Sequence, residues 1–185
     1  MTAILKGKAE TVSAGSLSSW RRSRQAGLSF RPAGDQDLAF LSALYASTRW
    51  QELEPTGWSE GQKQLFLAQQ FAAQHHHYIK HYPGAERLVI HHAGRPIGRL
   101  YVARWQDEHR IVDVAFVAEA CGQGYGTAVL GDALDEAFAA GKRASIHVEK
   151  NNPAKRLYLR LGFTVVEDKG VYDLMAAFPP GSQPS

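Results

Sequence analysis

The sequence predicts a single mixed α+β domain, with a central, mostly antiparallel twisted sheet of about six to seven strands flanked by about four helices. Three observations predict it. Helical patterns dominate the chain before Pro83, and apolar runs broken by tight turns come next, as in a β meander. A glycine-rich turn then opens a helix–strand–helix–hairpin series. The 185 residues suffice for one real core, and 44% hydrophobic against 21% charged residues is an ordinary globular balance.

Residues 1–27 are rich in Ser, Gly, Ala and Arg with little periodicity, so they are expected to form a poorly ordered basic extension. Their acid-poor composition also suits an organelle transit peptide. From Leu28 the pattern changes. "LSFRP" reads as a strand, and "GDQDLAFLSALYAS" as a helix with Asp35 as its candidate cap and Leu38, Leu41, Leu44 and Tyr45 on one stripe. "EPTGW" reads as a loop. Ser59 with Gln62 three residues on forms a capping box for a long helix that Pro83-Gly84 closes. "RLVIHH", "PIGRLYVARW" and "HRIVDVAFVA" make the meander, with turns at "AGRP" and "QDEH". After the glycines, Leu130, Ala133, Leu134, Ala137 and Phe138 share one helical face. "ASIHVE" is a strand, and "NPAKRLYLRLG" a short helix with Asn152 as cap, Pro153 in the first helical position and Gly162 at the end. "TVVED" and "VYDLMAAF" form a hairpin around Lys169-Gly170. Residues 28–178 are thus expected as one domain and 179–185 as a flexible tail.

Composition excludes several functions. No run of about 18 apolar residues exists, so no membrane span is expected, and the N-terminus lacks a secretory apolar stretch. The single cysteine, Cys121, suits a reducing compartment, and a cytoplasmic protein is expected. The formal charge of +3 belongs to the extension: six basic residues stand up to Arg31 against Glu10 alone, which leaves the remainder at −2. Charge therefore gives no support for nucleic-acid binding.

The stretch "CGQGYG", residues 121–126, admits three readings. A dinucleotide turn needs G-x-G-x-x-G inside a βαβ unit, whereas here Gly122, Gly124 and Gly126 alternate, Thr127 stands where the third glycine should, and a meander precedes them. A triphosphate loop fails because no Gly-Lys-Ser/Thr comes after the glycines. Glycines placed only for positive φ are the second reading. The third is an anion cradle, in which bare backbone amides at a helix N-terminus converge on a phosphate.

Together with "NNPAKRLYLRLGF" at residues 151–163, this stretch resembles the GNAT superfamily of N-acetyltransferases. That family's acyl-CoA loop is written Q/R-x-x-G-x-G, and "CGQGYG" matches both glycines and adds Gly122. Its next block, N-x-x-A-x-x-L-Y-x-x-x-G-F, corresponds to the second stretch, with Asn151, Ala154, Leu157, Tyr158, Gly162 and Phe163 in place. The order of elements from residue 28 to 178 is similar as well. One departure is Cys121, which stands where Gln or Arg is usual; weakened CoA binding is expected from it, and either a small residue tolerated in a tight loop or a reactive thiol fits.

The resemblance implies a sheet that splays between its fourth and fifth strands, with acetyl-CoA as acyl donor in the gap. The pantetheine arm would pair with Val114, Ala115 and Phe116 as an added strand. The pyrophosphate would sit on amides of Gly122, Gln123, Gly124, Tyr125, Gly126 and Thr127, with Asn151 as a further contact; either Asn151 or Asn152 can instead cap the next helix. A neutral amine would attack the thioester directly, a backbone N–H near Phe116 would hold the oxyanion, and Tyr158 would serve as general acid to the thiolate. Tyr158 also fits an apolar helical face. Arg110 stands where relatives carry a basic carboxylate, so Asp113 is the nearest candidate base, or else a structural partner of Arg104 or Arg110. The implied function is an acyl-CoA-dependent N-acyltransferase acting on a small-molecule or peptide amine, as monomer or homodimer. The alternative is a CoA-binding or regulatory module without turnover. In "HHHYIKHY", His77 and His81 share a helical face; with no second ligand cluster, no metal is expected, and a solvated face or an acceptor-site contribution are the other readings. Trp50, Glu52, Glu54 and Trp58 can recognise a cationic amine or lie on an exposed loop.

Overall fold

The computed structural model describes residues 16–182. The meander forms β2 (Glu86–His92), β3 (Arg95–Arg104) and β4 (Glu108–Phe116) beside β1 (Leu28–Pro32), and β5 (Arg143–Glu149), β6 (Thr164–Lys169) and β7 (Tyr172–Ala177) complete one sheet. Its order is β1-β2-β3-β4-β5-β7-β6, antiparallel except for the β4–β5 pair. Alternation along the strands sorts side chains onto two faces. Leu88, Ile90, Leu100, Val102 and Ile111 pack with Val129, Leu130 and Leu134 of α4 (Tyr125–Ala139). On the opposite face lie α2 (Leu38–Arg49) and α3 (Glu60–His81), with Leu41, Leu44, Leu67 and Phe71 buried.

Where the sheet opens is set by register. β4 and β5 pair only from Glu108↔Arg143 to Ile111↔Ile146. A bulge in the β3–β4 register, between Tyr101 and Val102, leaves Val112 unpaired and turns β4 at that point, and Asp113–Phe116 run on paired to β3 alone. β5 continues paired with β7. The expected splay between the fourth and fifth strands is therefore present.

Other elements differ in detail from expectation. Residues 16–27 do not share the disorder expected of the N-terminal extension: a 3₁₀ turn (Ser16–Ser19) leads into α1 (Arg21–Gln25). Trp20 is buried, and its Nε1 donates to Glu136 Oε2 at 2.8 Å. The free amides at the start of α1 are capped from another helix: Ser23 N and Arg22 N donate to the Asp132 carboxylate at 2.7 and 3.1 Å. Residues 1–15 lie outside the described residues. The expected loop "EPTGW" is mostly 3₁₀, Trp50–Thr56, ending at Gly57 with φ +68°. Asp35 does not cap α2; a 3₁₀ turn (Asp35–Asp37) intervenes, and Asp37 accepts from Gly34 N at 2.9 Å while pairing with Arg31 at 2.6 Å. The capping box of Ser59 and Gln62 forms as expected. α5 (Lys155–Arg160) starts later than its sequence pattern; Asn152 Oδ1 accepts from Ala154 N at 2.8 Å, and Pro153 precedes the helix. Among the described residues no helix is long and apolar enough to cross a membrane.

Candidate active site

The three glycines have separate physical reasons. Gly122 and Gly124 take φ +76° and +85°, the left-handed region that side chains avoid. Gly126 has ordinary φ, but a Cβ there would meet Leu157 of α5 at 3.2 Å, so its absence lets α4 and α5 approach. The consequence is a run of backbone donors. Among the described residues, none accepts a hydrogen bond from the amides of residues 122–127; the first amide to find an acceptor is Ala128, on Gly124 O at 3.0 Å. The first turn of α4 carries no acidic residue that would compete for the positive helix end.

Beside this cradle runs the bare edge of β4. Gly98 of β3 allows a close approach behind it, since a Cβ would stand 2.5 Å from Ala115 O and 2.9 Å from the Phe116 ring. Phe116 and Tyr125 lie 6.5 Å apart between ring centres, which joins the strand's end to the cradle. Val114, Ala115 and Phe116 are all partly buried. Cys121 is exposed, with Sγ 3.4 Å from Val117 O and so turned back toward the loop. Asn151 is exposed, while its neighbour Asn152 is the residue engaged in capping α5.

Tyr158 lies across the gap. It is 5% exposed, sits edge-on to Phe163 at 5.8 Å, and its hydroxyl has no hydrogen bond to a described residue. Burial, then the Asp113 carboxylate, pushes the phenol up to about 12. It therefore stays protonated across neutral pH.

Asp113 is paired with neither arginine expected. Its partner is Arg99, Nη2 to Oδ2 at 2.8 Å, and the same nitrogen donates to Gln74 of α3 at 3.0 Å. Arg104 is held by Glu86 and Glu136, and Arg110 by Glu108. Next to Asp113, burial first and then that carboxylate hold the Tyr78 phenol above its ordinary value.

His147 escaped sequence reading. It is the first β5 residue beyond the β4 pairing, and its Nδ1 is 3.0 Å from Arg110 Nη1. Arg110 is fixed in turn by Ser145 Oγ at 2.7 Å and Glu108 Oε1 at 2.6 Å. Guanidinium only donates, so Nδ1 must accept and the ring proton belongs on Nε2. Desolvation, then Arg110, lowers the His147 pKa, which disfavours the charged ring. Its only sequence signal was alternation with Ser145 and Glu149.

The loop candidates are largely engaged. Arg49 reaches Glu149 of β5 at 2.7 Å and Glu52 at 3.3 Å, which brings the α2–α3 connection to the gap. Lys63 stands 5.7 Å over the Trp50 ring, and Trp58 packs edge-on to Phe66 at 5.2 Å; Glu54 is exposed. His77 and His81 have ring centres 4.2 Å apart, and among the described residues no group of three or more His, Cys, Asp or Glu side chains could hold a metal.

Comparison with known proteins bears on this arrangement. The Acetyltransferase (GNAT) family pattern matches residues 41–163. Among solved structures, the chain is similar to the PaiA N-acetyltransferase from Thermoplasma acidophilum in complex with coenzyme A, at 15% identity and TM-score 0.62, covering 82% of this chain and 98% of that one. It is similar to PH1933 from Pyrococcus horikoshii at 18% identity and TM-score 0.60, covering 82% and 98%. It is also similar to spermidine N-acetyltransferase from Vibrio cholerae in complex with CoA and spermine, at 21% identity and TM-score 0.53, covering 82% and 94%. No curated protein sequence matches the chain.

Proposed function

The chain belongs to the GNAT acetyltransferase family, and from that premise we propose that it transfers an acetyl group from acetyl-CoA directly to the amine of a small-molecule or peptide acceptor. The carrying observation is the run of amides at residues 122–127 without an acceptor, beside a strand edge at Val114–Phe116 that β5 does not cover. Each is suited to a different part of one molecule: convergent N–H groups to a pyrophosphate, and an open strand edge to the amides of a pantetheine arm.

In this reading the amide oxygens of the arm take strand-like hydrogen bonds from β4. The thioester carbonyl comes to lie against a backbone N–H near Phe116, which stabilises the oxyanion as the amine attacks. Tyr158 then donates to the departing sulfur. A phenol near 12 is a weaker acid than a thiol of ordinary pKa, about 8.5. Tyr158 therefore serves chiefly as a hydrogen-bond donor to developing thiolate, with full proton transfer an uphill step. Asp113 is the candidate base, but Arg99 already engages one of its oxygens; a water held at the other would have to relay the proton. His147 presents Nε2–H and suits a donor to the acceptor better than a base.

Two measurements test the reading. Acetyl-CoA at saturation should raise the thermal midpoint, and mixing with a broad panel of amines should release free CoA thiol. No thermal response would defeat the donor assignment. Binding without thiol release would favour a CoA-binding module, the reading that the Arg99–Asp113 pair supports.

A further inference from the structure

A cavity of about 100 Å³ lies on the α2/α3 side of the sheet, between the Asp35–Asp37 turn, both helices and strands β2 and β3. Leu38, Leu41 and Ile79 supply part of its wall; His75, Arg87 and Tyr101 supply polar groups. None of these residues belongs to the cradle or the open β4 edge. That volume holds several waters or a ligand of a few heavy atoms, and is too small for a nucleotide.

Its polar groups lack partners. Tyr101 is 1% exposed, yet its buried hydroxyl makes no hydrogen bond to a described residue, and neither does the buried Nδ1 of His75. The Arg87 side chain, paired in register with Tyr101, forms no hydrogen bond or ion pair with a described residue. Arginine only donates, a tyrosine hydroxyl can donate, and His75 donates in its Nδ1–H tautomer. Buried donors left unmade are costly in a folded chain. Water could satisfy individual atoms; an oxyanion would in addition meet the charge of Arg87, which is itself only partly buried. Asp35, the one carboxylate among the described residues that line the cavity, is exposed at the rim, where solvent screens it. Asp37 is committed to Arg31.

We propose that this cavity binds a small oxyanion, with Arg87 as its charge partner and Tyr101 and His75 as hydrogen-bond donors. The ligand class is a free phosphate or a short carboxylate, since both present several acceptor oxygens on a compact anion. The site shares no residue with the proposed acetyl-CoA contacts, although Tyr101 pairs in register with Asp113, and it does not depend on that reading.

The test is thermal unfolding of the full chain at constant ionic strength, with sodium chloride replaced stepwise by sodium phosphate or by sodium acetate. A saturable rise of about 3 °C is expected with one or both anions, and the anion that acts identifies the source. Arg87→Gln and Tyr101→Phe should each abolish it while keeping the wild-type far-ultraviolet spectrum and any response to acetyl-CoA. The glycine cradle is a second place where phosphate could settle, so a rise that survives both substitutions puts the anion there and overturns the proposal. No rise with either anion overturns it as well, leaving the cavity to water. Should Arg87→Gln not fold, Tyr101→Phe decides alone, and histidine resonances of the wild type supply an independent reading: His75 must shift during the titration.

Discussion

At the scale of single residues, Tyr158 and Gly98 make the sharpest claims. If Tyr158 hydrogen-bonds the departing sulfur, Tyr158→Phe should lower kcat by about 10- to 100-fold, the low end for acid–base catalysis because the phenol is a weak acid. The KM for acetyl-CoA should change little. Equal kcat would retire the role. Because burial and the Asp113 carboxylate raise the phenol to about 12, a loss of rate between pH 8 and 10 is expected from another group. Gly98→Ala tests the strand edge from behind. Its methyl would collide with Ala115 O, so strand β4 must move; a loss of about 1–3 kcal/mol in stability and a raised KM for acetyl-CoA are expected. A substitution that stabilises, or leaves both unchanged, would contradict the close approach. Residues of this kind were unequally legible in the sequence. Gly122 and Gly124 were visible because the left-handed backbone leaves a compositional mark. The Arg99–Asp113 and Arg110–His147 contacts were not, because both depend on cross-strand register and on a bulge that no local pattern announces.

At the scale of elements, capping and register decide more than propensity. The 3₁₀ turn that leads into α2 is fixed by Asp37, which accepts from both terminal nitrogens of Arg31 and from the Gly34 amide. Hydrogen bonding to Arg31 is the leading cause that depresses Asp37 to about 2. The unfolded value is about 3.9. A carboxylate depressed on folding contributes stability that is fully present above the unfolded value and is lost as pH falls toward the folded one. Asp37→Asn keeps an oxygen for the Gly34 amide and removes the charge, so its thermal midpoint should fall below wild type at pH 7. That difference should shrink as pH falls from 4 to 2. A pH-independent difference would show that the pair contributes through packing instead. The helices and strands of residues 28–178 were readable from periodicity because each buries one face on a neighbour. α1 was not: five residues of mostly Arg and Ser carry no helical stripe, and the helix is held by partners more than 100 residues away in sequence, Asp132 and Glu136.

For the whole molecule, α1 ties the described N-terminal segment to the helix that opens with the cradle. Trp20 contacts α4 through Glu136, a residue that also holds Arg104 of β3. The ring packs edge-on to Phe30 of β1 at 5.3 Å. One side chain thus links the first strand, a central strand and α4. Two substitutions separate its parts. Trp20→Phe keeps much of the volume but removes the indole N–H; Glu136 retains Arg104, so a loss of about 1 kcal/mol is expected. Trp20→Ala also empties the site, and a loss of about 3–5 kcal/mol is expected there. For a chain of this size each kcal/mol lowers the midpoint by about 2–4 °C, so thermal scans resolve the two. The cradle amides lie at the opposite end of α4 from Glu136. A folded Trp20→Phe protein should therefore keep its acetyl-CoA response, and the stability loss should not carry a matching loss of donor binding. Coupled losses would mean that the N-terminal segment positions the cradle as well as stabilising the fold. Equal midpoints for Trp20→Ala and wild type would instead return residues 16–27 to the poorly ordered extension that their composition suggested.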